Sequence, residues 1–227
     1  MQLTPAQIQD ELAFWLNQDR EHNLFLHLGL EEPRLKAMAR ELFDQYDYFF
    51  RSRFGDNLQR MLRFVTPQSQ AFKNRVLALQ NQGRWVGWLF PSFVQHIRDE
   101  IDVMLARIRP GGISSRDELC FGNRMNADHI AFASHLLDPL AGATDPAKKL
   151  AAGPLYDSLT AKNRCMTDTY DSLLAISRQA GGEVDKFFTG FDLRKFPSVI
   201  HPALAAHVVR EGQRFLKTID RLPAQAA

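Results

Sequence analysis

Apolar residues recur along the chain at helical spacing, three or four positions apart, and no segment alternates convincingly between apolar and polar residues. Near the start, Ile8, Leu12 and Leu16 would share one face of a helix. Thr4 and Gln7 have the spacing of a capping box, in which each side chain caps the other's backbone N–H. The first helix is therefore predicted from about residue 5 to about residue 28.

The same pattern predicts three more helices in the first half, over residues 33–53, 67–82 and 91–108. The segment "FGDN" and the segment "NQGRW" separate them, and a proline opens the helix that begins at Pro91. The segment "RPGGISS", residues 109–115, combines Pro, Gly and Ser and marks a boundary near the middle of the chain. The sequence therefore predicts an all-α protein with two halves, residues 1–110 and 111–227.

The two halves resemble each other in two separate blocks that occur in the same order. Residues 11–25, "ELAFWLNQDREHNLF", align with residues 118–132, "ELCFGNRMNADHIAF". Residues 91–108, "PSFVQHIRDEIDVMLARI", align with residues 202–219, "PALAAHVVREGQRFLKTI". We therefore predict a duplicated four-helix bundle, in which two four-helix repeats pack together as one compact unit.

Several polar residues recur in this alignment, and a helical core does not require them, whereas it does require the recurring apolar residues. Histidine and carboxylate side chains together are typical ligands of transition metals. The recurring polar pairs are Glu11 and Glu118, His22 and His129, Asp44 and Asp157, His96 and His207, and Glu100 and Glu211.

Helix geometry decides which of these residues can share an ion. Residues four apart on a helix lie about 6 Å and about 40° apart, so His96 and Glu100 can bind one ion together. Residues eleven apart share a face but lie about 16 Å apart, so Glu11 and His22 cannot. A single His–Glu pair is usually a weak surface interaction. Its recurrence at His207, again five residues after a proline, favours a metal site.

Two arrangements of the ligands remain open. In one, the opening helices of the two halves run antiparallel, and Glu118 joins His22, His96 and Glu100 while Glu11 joins His129, His207 and Glu211. In the other, each half builds its own site, and Glu11 and Glu118 bind other groups. Asp44 and Asp157 would be further ligands or acceptors for a histidine N–H. For Glu118 a second interpretation is a capping box that starts at Ser115 in "SRDE".

Composition excludes several classes of protein. The formal net charge is +2 with no basic cluster, so no nucleic-acid partner is predicted. The N-terminal segment is not a signal peptide, and no apolar run is long enough to span a membrane, so no membrane partner is predicted. The two cysteines lack paired spacing, which argues against a disulfide scaffold and a Cys-based zinc site, and a reducing, cytoplasmic location is predicted. A small-molecule substrate and a homo-oligomer stay open.

These motifs resemble those of a bacterial family catalogued as domain of unknown function 2935. The opening motif is "ELAFWLNQDREH", the second-helix motif is "LFDQY", and the Pro…His-x-x-x-Glu motif occurs as "PSFVQHIRDE" and "HPALAAHVVRE". The resemblance extends from about residue 5 to about residue 222. It implies a duplicated, metal-binding four-helix bundle, of which a Bacillus metalloprotein is the structural representative. The chain departs from the family in its shorter length and in Gly122, which replaces the Trp that follows Phe14 in the first half.

By this resemblance, the metal-site residues would be His22, His96, Glu100, His129, His207 and Glu211, followed by Glu11 and Glu118. Iron is the first expectation for the metal, with manganese and zinc as alternatives. The sequence lacks the pair of Glu-x-x-His motifs of ferritin-like di-iron proteins. Three functions are therefore compared: a non-haem oxidoreductase, a non-catalytic protein for metal storage, sensing or structure, and a metal-free helical interaction domain.

Overall fold

The computed structural model describes residues 2–52, 56–136, 153–161, 164–189 and 200–222. Within these ranges the chain is helical and forms no strand, and one isolated antiparallel bridge joins Leu30 to Gly87. This confirms the all-α prediction. The chain divides into two compact units, Gln2–Gly112 and Ile113–Ala227, here called the first and the second unit. The predicted duplication of one unit into the other stays a prediction.

The first unit contains the four predicted helices and one segment that the sequence did not predict. Helix α5 has the predicted bounds, and α1 is one residue longer than predicted. Residues 57–65, which the sequence left without a helix, form a short α-helix and a π-helical turn that lead directly into α4. Arg53, the predicted end of the second helix, lies outside the described residues, as do Phe54 and Gly55 of "FGDN". The elements are α1 (Pro5–Gly29), α2 (Pro33–Arg51), α3 (Asn57–Arg60), the π-helical turn (Met61–Val65), α4 (Thr66–Asn81) and α5 (Pro91–Ile108).

The predicted capping box at the start of α1 is confirmed. Thr4 Oγ1 accepts a hydrogen bond from the N–H of Gln7 at 3.3 Å, and Gln7 Oε1 accepts one from the N–H of Thr4 at 2.8 Å. The helix then buries Leu12, Leu16 and Leu26 completely, which agrees with the apolar face expected from their spacing.

A close backbone contact brings the start of α5 to the end of α1. The N–H of Trp88 donates to the carbonyl of Gly29 at 2.8 Å, and the N–H of Glu31 donates to the carbonyl of Val86 at 2.8 Å. Gly87 lies between them at φ 150°, and a Cβ at this position would be 2.2 Å from the Gly29 carbonyl oxygen. Only glycine fits this approach, which places the histidine-bearing parts of α1 and α5 in one unit side by side.

The described part of the second unit contains three long helices and two short ones. Ile130, Val184 and Val208 belong to one apolar cluster, and Leu119 and Phe215 belong to another. The elements are α6 (Ser115–Leu136), α7 (Pro154–Thr160), α8 (Arg164–Thr167), α9 (Tyr170–Thr189) and α10 (Pro202–Asp220).

Gly122 marks a difference in packing between the opening helices α1 and α6. A Cβ on Gly122 would lie 1.8 Å from Cε2 of Phe215, so the phenyl ring occupies the space directly above the glycine. The aligned residue of α1 is Trp15, which is itself buried. In the second unit, Phe215 on α10 thus occupies the space that an aromatic residue on the opening helix would otherwise fill.

The structure contains one disulfide among the described residues, which the cysteine spacing did not predict. Cys120 on α6 and Cys165 on α8 are joined by a disulfide, with their Cα atoms 5.6 Å apart. Arg116 supports the same connection, because its Nε donates to the carbonyl of Cys165 at 2.8 Å and its guanidinium also reaches the carbonyl of Asp168 at 2.6 Å. The fold, and not sequence spacing, brings the two sulfur atoms together, so cysteine spacing no longer supports a reducing location.

Candidate metal sites

In the first unit, two histidines from different helices converge on one carboxylate. His22 on α1 places Nε2 3.1 Å from Oε2 of Glu100. His96 on α5 places Nε2 3.3 Å from the other oxygen, Oε1, of the same glutamate. The exposed fractions are 1% for His22, 3% for His96 and 2% for Glu100, so the group is removed from solvent. We call these three residues the first triad.

The antiparallel pairing of α1 and α5 explains how the first triad assembles. Glu11 lies eleven residues before His22, and Arg107 lies eleven residues after His96. Glu11 Oε2 and an Arg107 guanidinium nitrogen are 3.9 Å apart, at the far end of the same helix pair. In an antiparallel pair, moving eleven residues back along one helix and eleven residues forward along the other leads to a second contact, about 16 Å away along the axis.

Glu11 therefore takes part in a different buried group from the first triad. Trp15 Nε1 donates a hydrogen bond to Glu11 Oε2 at 2.9 Å, and the Arg107 guanidinium carbon lies 4.9 Å from the centre of the Trp15 ring. These contacts give the carboxylate a donor and a nearby cation, which a buried charge requires. In the first unit Glu11 has a structural role beside Trp15 and Arg107.

The second unit contains the same arrangement on α6 and α10. His129 places Nε2 3.2 Å from Oε2 of Glu211, and His207 places Nε2 3.0 Å from Oε1 of Glu211. All three residues are buried, with exposed fractions of 3–4%. We call them the second triad. The structure thus brings six of the eight predicted metal-site residues into buried His/Glu groups.

Glu118 lies near the start of α6, and the predicted capping box from Ser115 to Glu118 is wrong. Ser114 is the capping residue: its Oγ accepts from the N–H of Asp117 at 3.0 Å and donates to Asp117 Oδ2 at 2.6 Å. Glu118 is buried, with an exposed fraction of 3%. Helix capping therefore does not account for the glutamate at this position.

The two recurring aspartates are not part of either triad. Asp44 is exposed, and its Oδ2 accepts from Arg40 Nε at 2.9 Å on the same helix. Asp157 is exposed on α7. The prediction that they act as ligands or as histidine partners is wrong, because both side chains face solvent.

The spacing of the triad atoms agrees with a metal coordination shell. Metal–nitrogen and metal–oxygen bonds of about 2.1 Å place neighbouring ligand atoms about 3.0 Å apart at right angles and about 3.4 Å apart at tetrahedral angles. The four observed N···O distances, from 3.0 to 3.3 Å, fall in this range. The buried His and Glu groups are therefore able to hold a metal ion, although the donor set does not identify the metal.

A second buried polar cluster, which the sequence did not predict, lies behind the first triad. Asp19 on α1 is 1% exposed, and Lys73 on α4 is completely buried. Lys73 Nζ and the Tyr46 hydroxyl both donate to the Asp19 carboxylate, and Ser69 Oγ donates to Asp19 Oδ1 at 3.1 Å. We call Asp19, Tyr46, Ser69 and Lys73 the Asp19 cluster. Asp19 Oδ1 lies 3.9 Å from Nδ1 of His22, on the side of the imidazole away from Glu100.

The unpredicted π-helical turn supports this cluster. Thr66, the residue after the turn, donates from Oγ1 to the carbonyl of Met61 at 3.2 Å. The Tyr46 hydroxyl lies 3.1 Å from the same Thr66 Oγ1. Single π-helical turns inside α-helices often occur next to functional sites, and here the turn places Thr66 against Tyr46.

Burial shifts the pKa values of two residues of the cluster, Lys73 and Tyr46. Desolvation lowers the pKa of Lys73 below its ordinary value, while the charges of Asp19 and Glu100 oppose that shift. Desolvation also raises the pKa of Tyr46 well above its ordinary value, and the neighbouring charge of Asp19 adds to the increase. The charge of Glu100, in the first triad, thus acts on the pKa of Lys73 in the cluster.

Sequence comparison missed the cluster because it considered only identical polar residues. The aligned residue for Asp19 is Asn126, so this pair was not retained as a repeat. Both residues are buried. Asp19 and Asn126 each lie three residues before the aligned histidine. A comparison that accepted any two polar residues at aligned positions would have found this pair.

Comparisons with known proteins support the fold but name no function. No protein-family model matches the chain. An uncharacterized protein of Acanthamoeba polyphaga mimivirus is 27% identical over 96% of this chain and 82% of its own length. A crystal structure of an uncharacterized protein from Bacillus cereus G9241 covers 93% of this chain and 88% of its own, with a TM-score of 0.77 and 17% identity. None of the described helices has the length and apolar character needed to cross a membrane.

Proposed function

We propose that the protein binds a transition metal through the histidines and glutamates of the two triads. The carrying observation is that two histidine Nε2 atoms approach the two oxygens of one buried glutamate in each unit, at 3.0–3.3 Å. A His–Glu pair four residues apart on one helix does not need a third residue. In each triad a histidine from another helix also approaches the same glutamate. Membership of the metal-binding family that the sequence resembles is part of this proposal.

Iron is the metal we propose first, with manganese and zinc as alternatives. Two imidazoles and one carboxylate are the ligand set of many non-haem iron sites, which leave further coordination positions open. Bound iron would supply redox chemistry toward dioxygen or a peroxide. The protein's own residues would hold the ion and exclude bulk water, since every triad residue is buried.

Two functions follow from a bound metal, and we place the non-haem oxidoreductase first. The alternative is a non-catalytic protein in which the metal is stored, sensed or structural. The oxidoreductase requires coordination positions that a substrate can reach, whereas a structural site is closed by protein ligands.

Metal content per chain tests the proposal. The protein should be purified without a metal-binding tag and its iron, manganese and zinc measured by mass spectrometry. We expect bound transition metal in the wild-type protein and a lower content in His129→Ala. His135→Ala is the matched control, because His135 is an exposed residue on the same helix α6 and should leave the content unchanged.

Two results would separate the remaining functions. The absence of any transition metal, together with wild-type stability of His96→Ala and His207→Ala, would reject metal binding and favour a metal-free helical interaction domain. If iron is bound, oxygen consumption by the anaerobically prepared ferrous protein would support the oxidoreductase, and stable ferrous protein in air would support storage or a structural metal.

A further inference from the structure

Large apolar side chains are exposed together on the loop that joins α4 to α5. Trp85 is 65% exposed and Trp88 is 75% exposed, and Phe90 and Leu28 are exposed as well. The N–H of Trp88 donates to the carbonyl of Gly29, so the loop lies beside Leu28 at the end of α1. We call Leu28, Trp85, Trp88 and Phe90 the tryptophan patch.

The tryptophan patch is large enough to form part of a protein interface. A buried aromatic side chain removes about 150–250 Å² from water, so the exposed parts of the four side chains amount to about 500 Å². Exposed apolar patches of this size are often functional. A standard interface buries about 800 Å² on each partner, and the patch would supply more than half of that area.

The backbone beneath the patch holds the loop in one conformation. Val86, between the two tryptophans in sequence, is buried, and its carbonyl accepts from the N–H groups of Glu31 and Glu32 at 2.8 and 3.2 Å. Farther along the loop, Gln80 Nε2 donates to the carbonyl of Leu89 at 2.7 Å. Because the loop is already ordered, a partner that binds it avoids most of the entropic cost of ordering a loop.

The two indole rings form a corner that is suited to a cation. Their centres are 5.0 Å apart and their planes meet at 89°, so one ring stands on the face of the other. A cation placed in the angle between Trp85 and Trp88 lies within about 6 Å of both ring centres, which is the range of a cation–π contact. Arginine makes this contact more often than lysine does.

The rim of the patch carries charges of both signs. Arg84 precedes Trp85 and is exposed, and Glu31 lies across the backbone contact with Val86. The side chain of Glu31 is 50% exposed, and its only close cation at 4.0 Å is the ammonium of Lys36, a weak surface pair that leaves the carboxylate able to accept a second cation. An anionic membrane surface attracts clustered basic residues, whereas this rim is mixed.

We propose that the tryptophan patch is the interface of a homodimer, in which two copies of this chain pack about a twofold axis. Arg84 of one copy enters the corner between Trp85 and Trp88 of the other, close to Glu31 of that other copy. A twofold interface uses the same surface twice, so the reciprocal contacts form as well. The patch is complementary to itself because it contains the rings, the cation and the carboxylate together.

Sedimentation equilibrium over a range of protein concentrations tests the dimer. We expect the wild-type protein to dimerise reversibly, and Trp88→Ser to weaken dimerisation about 30-fold or more, because buried tryptophans are frequent hot spots of interfaces. Tyr48→Ser is the matched control, since Tyr48 is an exposed aromatic residue about 22 Å along α2 from Pro33. It should leave the Kd unchanged, and circular dichroism should give the same helix content for all three proteins.

Charge reversal tests the proposed orientation. Arg84→Glu and Glu31→Arg should each weaken the dimer about 10-fold, because each brings like charges together at both ends of the interface. A mixture of the two single variants should form a mixed dimer of nearly wild-type strength, since every contact then joins opposite charges. The double variant Arg84→Glu/Glu31→Arg should recover in the same way, and loss of structure would not be rescued by mixing.

Three outcomes would overturn the proposal. They are a wild-type protein that stays monomeric at about 1 mM, a dimer of unchanged Kd in Trp88→Ser, and a mixture of the charge variants that is no stronger than either alone. Vesicles of phosphatidylcholine and phosphatidylserine distinguish a membrane from a second copy. Vesicle binding by a monomeric wild-type protein that is lost in Trp88→Ser would also overturn the dimer. None of these measurements needs bound metal, so they are independent of the proposed function.

Discussion

His22 Nε2 lies 3.1 Å from Glu100 Oε2. This contact joins α1 to α5, two helices that lie far apart in the sequence of the first unit. His129 and Glu211 have the same relationship, at 3.2 Å, in the second unit. Each contact adds a second histidine to a His–Glu pair that already exists on one helix. The pair on one helix is thereby converted into a three-residue group that draws on two helices.

Metal binding should stabilise the fold through these contacts. A ligand that binds only the native state contributes about 2.7 kcal/mol when its concentration is one hundred times its Kd. We expect added Mn²⁺ or Zn²⁺ to raise the denaturant midpoint of the metal-free wild-type protein by a corresponding amount. Glu100→Gln keeps the shape of the side chain but removes its charge, so it should reduce this increase.

The control for that variant is Glu41→Gln, on the exposed face of α2. It should leave the metal-dependent increase unchanged. An increase of wild-type size in Glu100→Gln would argue against Glu100 as a ligand.

Tyr46 should make stability fall at alkaline pH. Its pKa is raised in the folded protein from an ordinary value of 10.0, so the folded state keeps the proton after the unfolded state has lost it. Such a group contributes stability that is complete below the unfolded pKa and is lost as pH rises above it. We therefore expect the free energy of unfolding to decline above about pH 10. The decline should be smaller in Tyr46→Phe.

Tyr46→Phe should also lose about 1–3 kcal/mol at neutral pH, because Asp19 loses a buried donor. Tyr48→Phe provides the matched control, since Tyr48 is 60% exposed. Absorbance of phenolate at alkaline pH, followed in native protein and in denaturant, is the direct measurement. Ionisation of Tyr46 in the native protein near pH 10 would contradict the prediction.

Two glycines of the second unit should respond to alanine in opposite directions. Gly122→Ala would place a Cβ 1.8 Å from the Phe215 ring, so the ring must move, and we expect a loss of about 1–3 kcal/mol. Gly182 on α9 has nothing within 4 Å of the equivalent Cβ, so Gly182→Ala should gain about 0.5–1 kcal/mol from helix propensity. Urea denaturation of both variants measures the difference, and a neutral Gly122→Ala would refute the close packing.

The disulfide should contribute to stability. Oxidised protein should contain no free thiol under denaturing conditions, and reduction should release two. We expect reduction to lower the free energy of unfolding by about 2–4 kcal/mol, since the bond closes a long loop of the unfolded chain. The Cys120→Ser/Cys165→Ser protein should match the reduced wild type and be unaffected by reductant. Two reactive thiols in the untreated denatured protein would show that the bond does not form.

Helical periodicity predicted the long helices of the first unit well because each buries a regular apolar face and has a clear proline start. Pro91 and the residues after it gave the bounds of α5 without error. The segment Asn57–Val65 was missed because it is short and buries only Met61 and Val65, too few positions to show a helical period.

Site residues were predictable where geometry within one helix constrained them. His96 and Glu100 follow from a four-residue spacing, and their recurrence at His207 and Glu211 marked them as unusual. Lys73 could not be predicted, because a buried lysine is recognised only once its partner on another helix is known. The disulfide was not predicted for the same reason, because sequence separation carries no information on how α8 packs against α6.

The packing around Trp15 and Phe215 has a consequence for how the two halves relate. In the first unit the aromatic ring beside the opening helix comes from that helix, and in the second unit it comes from α10, against Gly122. A chimaera carrying α1 in the second unit would bring two rings to one space, and one carrying α6 in the first would leave that space empty. If the halves descend from one ancestor, their opening helices are no longer interchangeable parts.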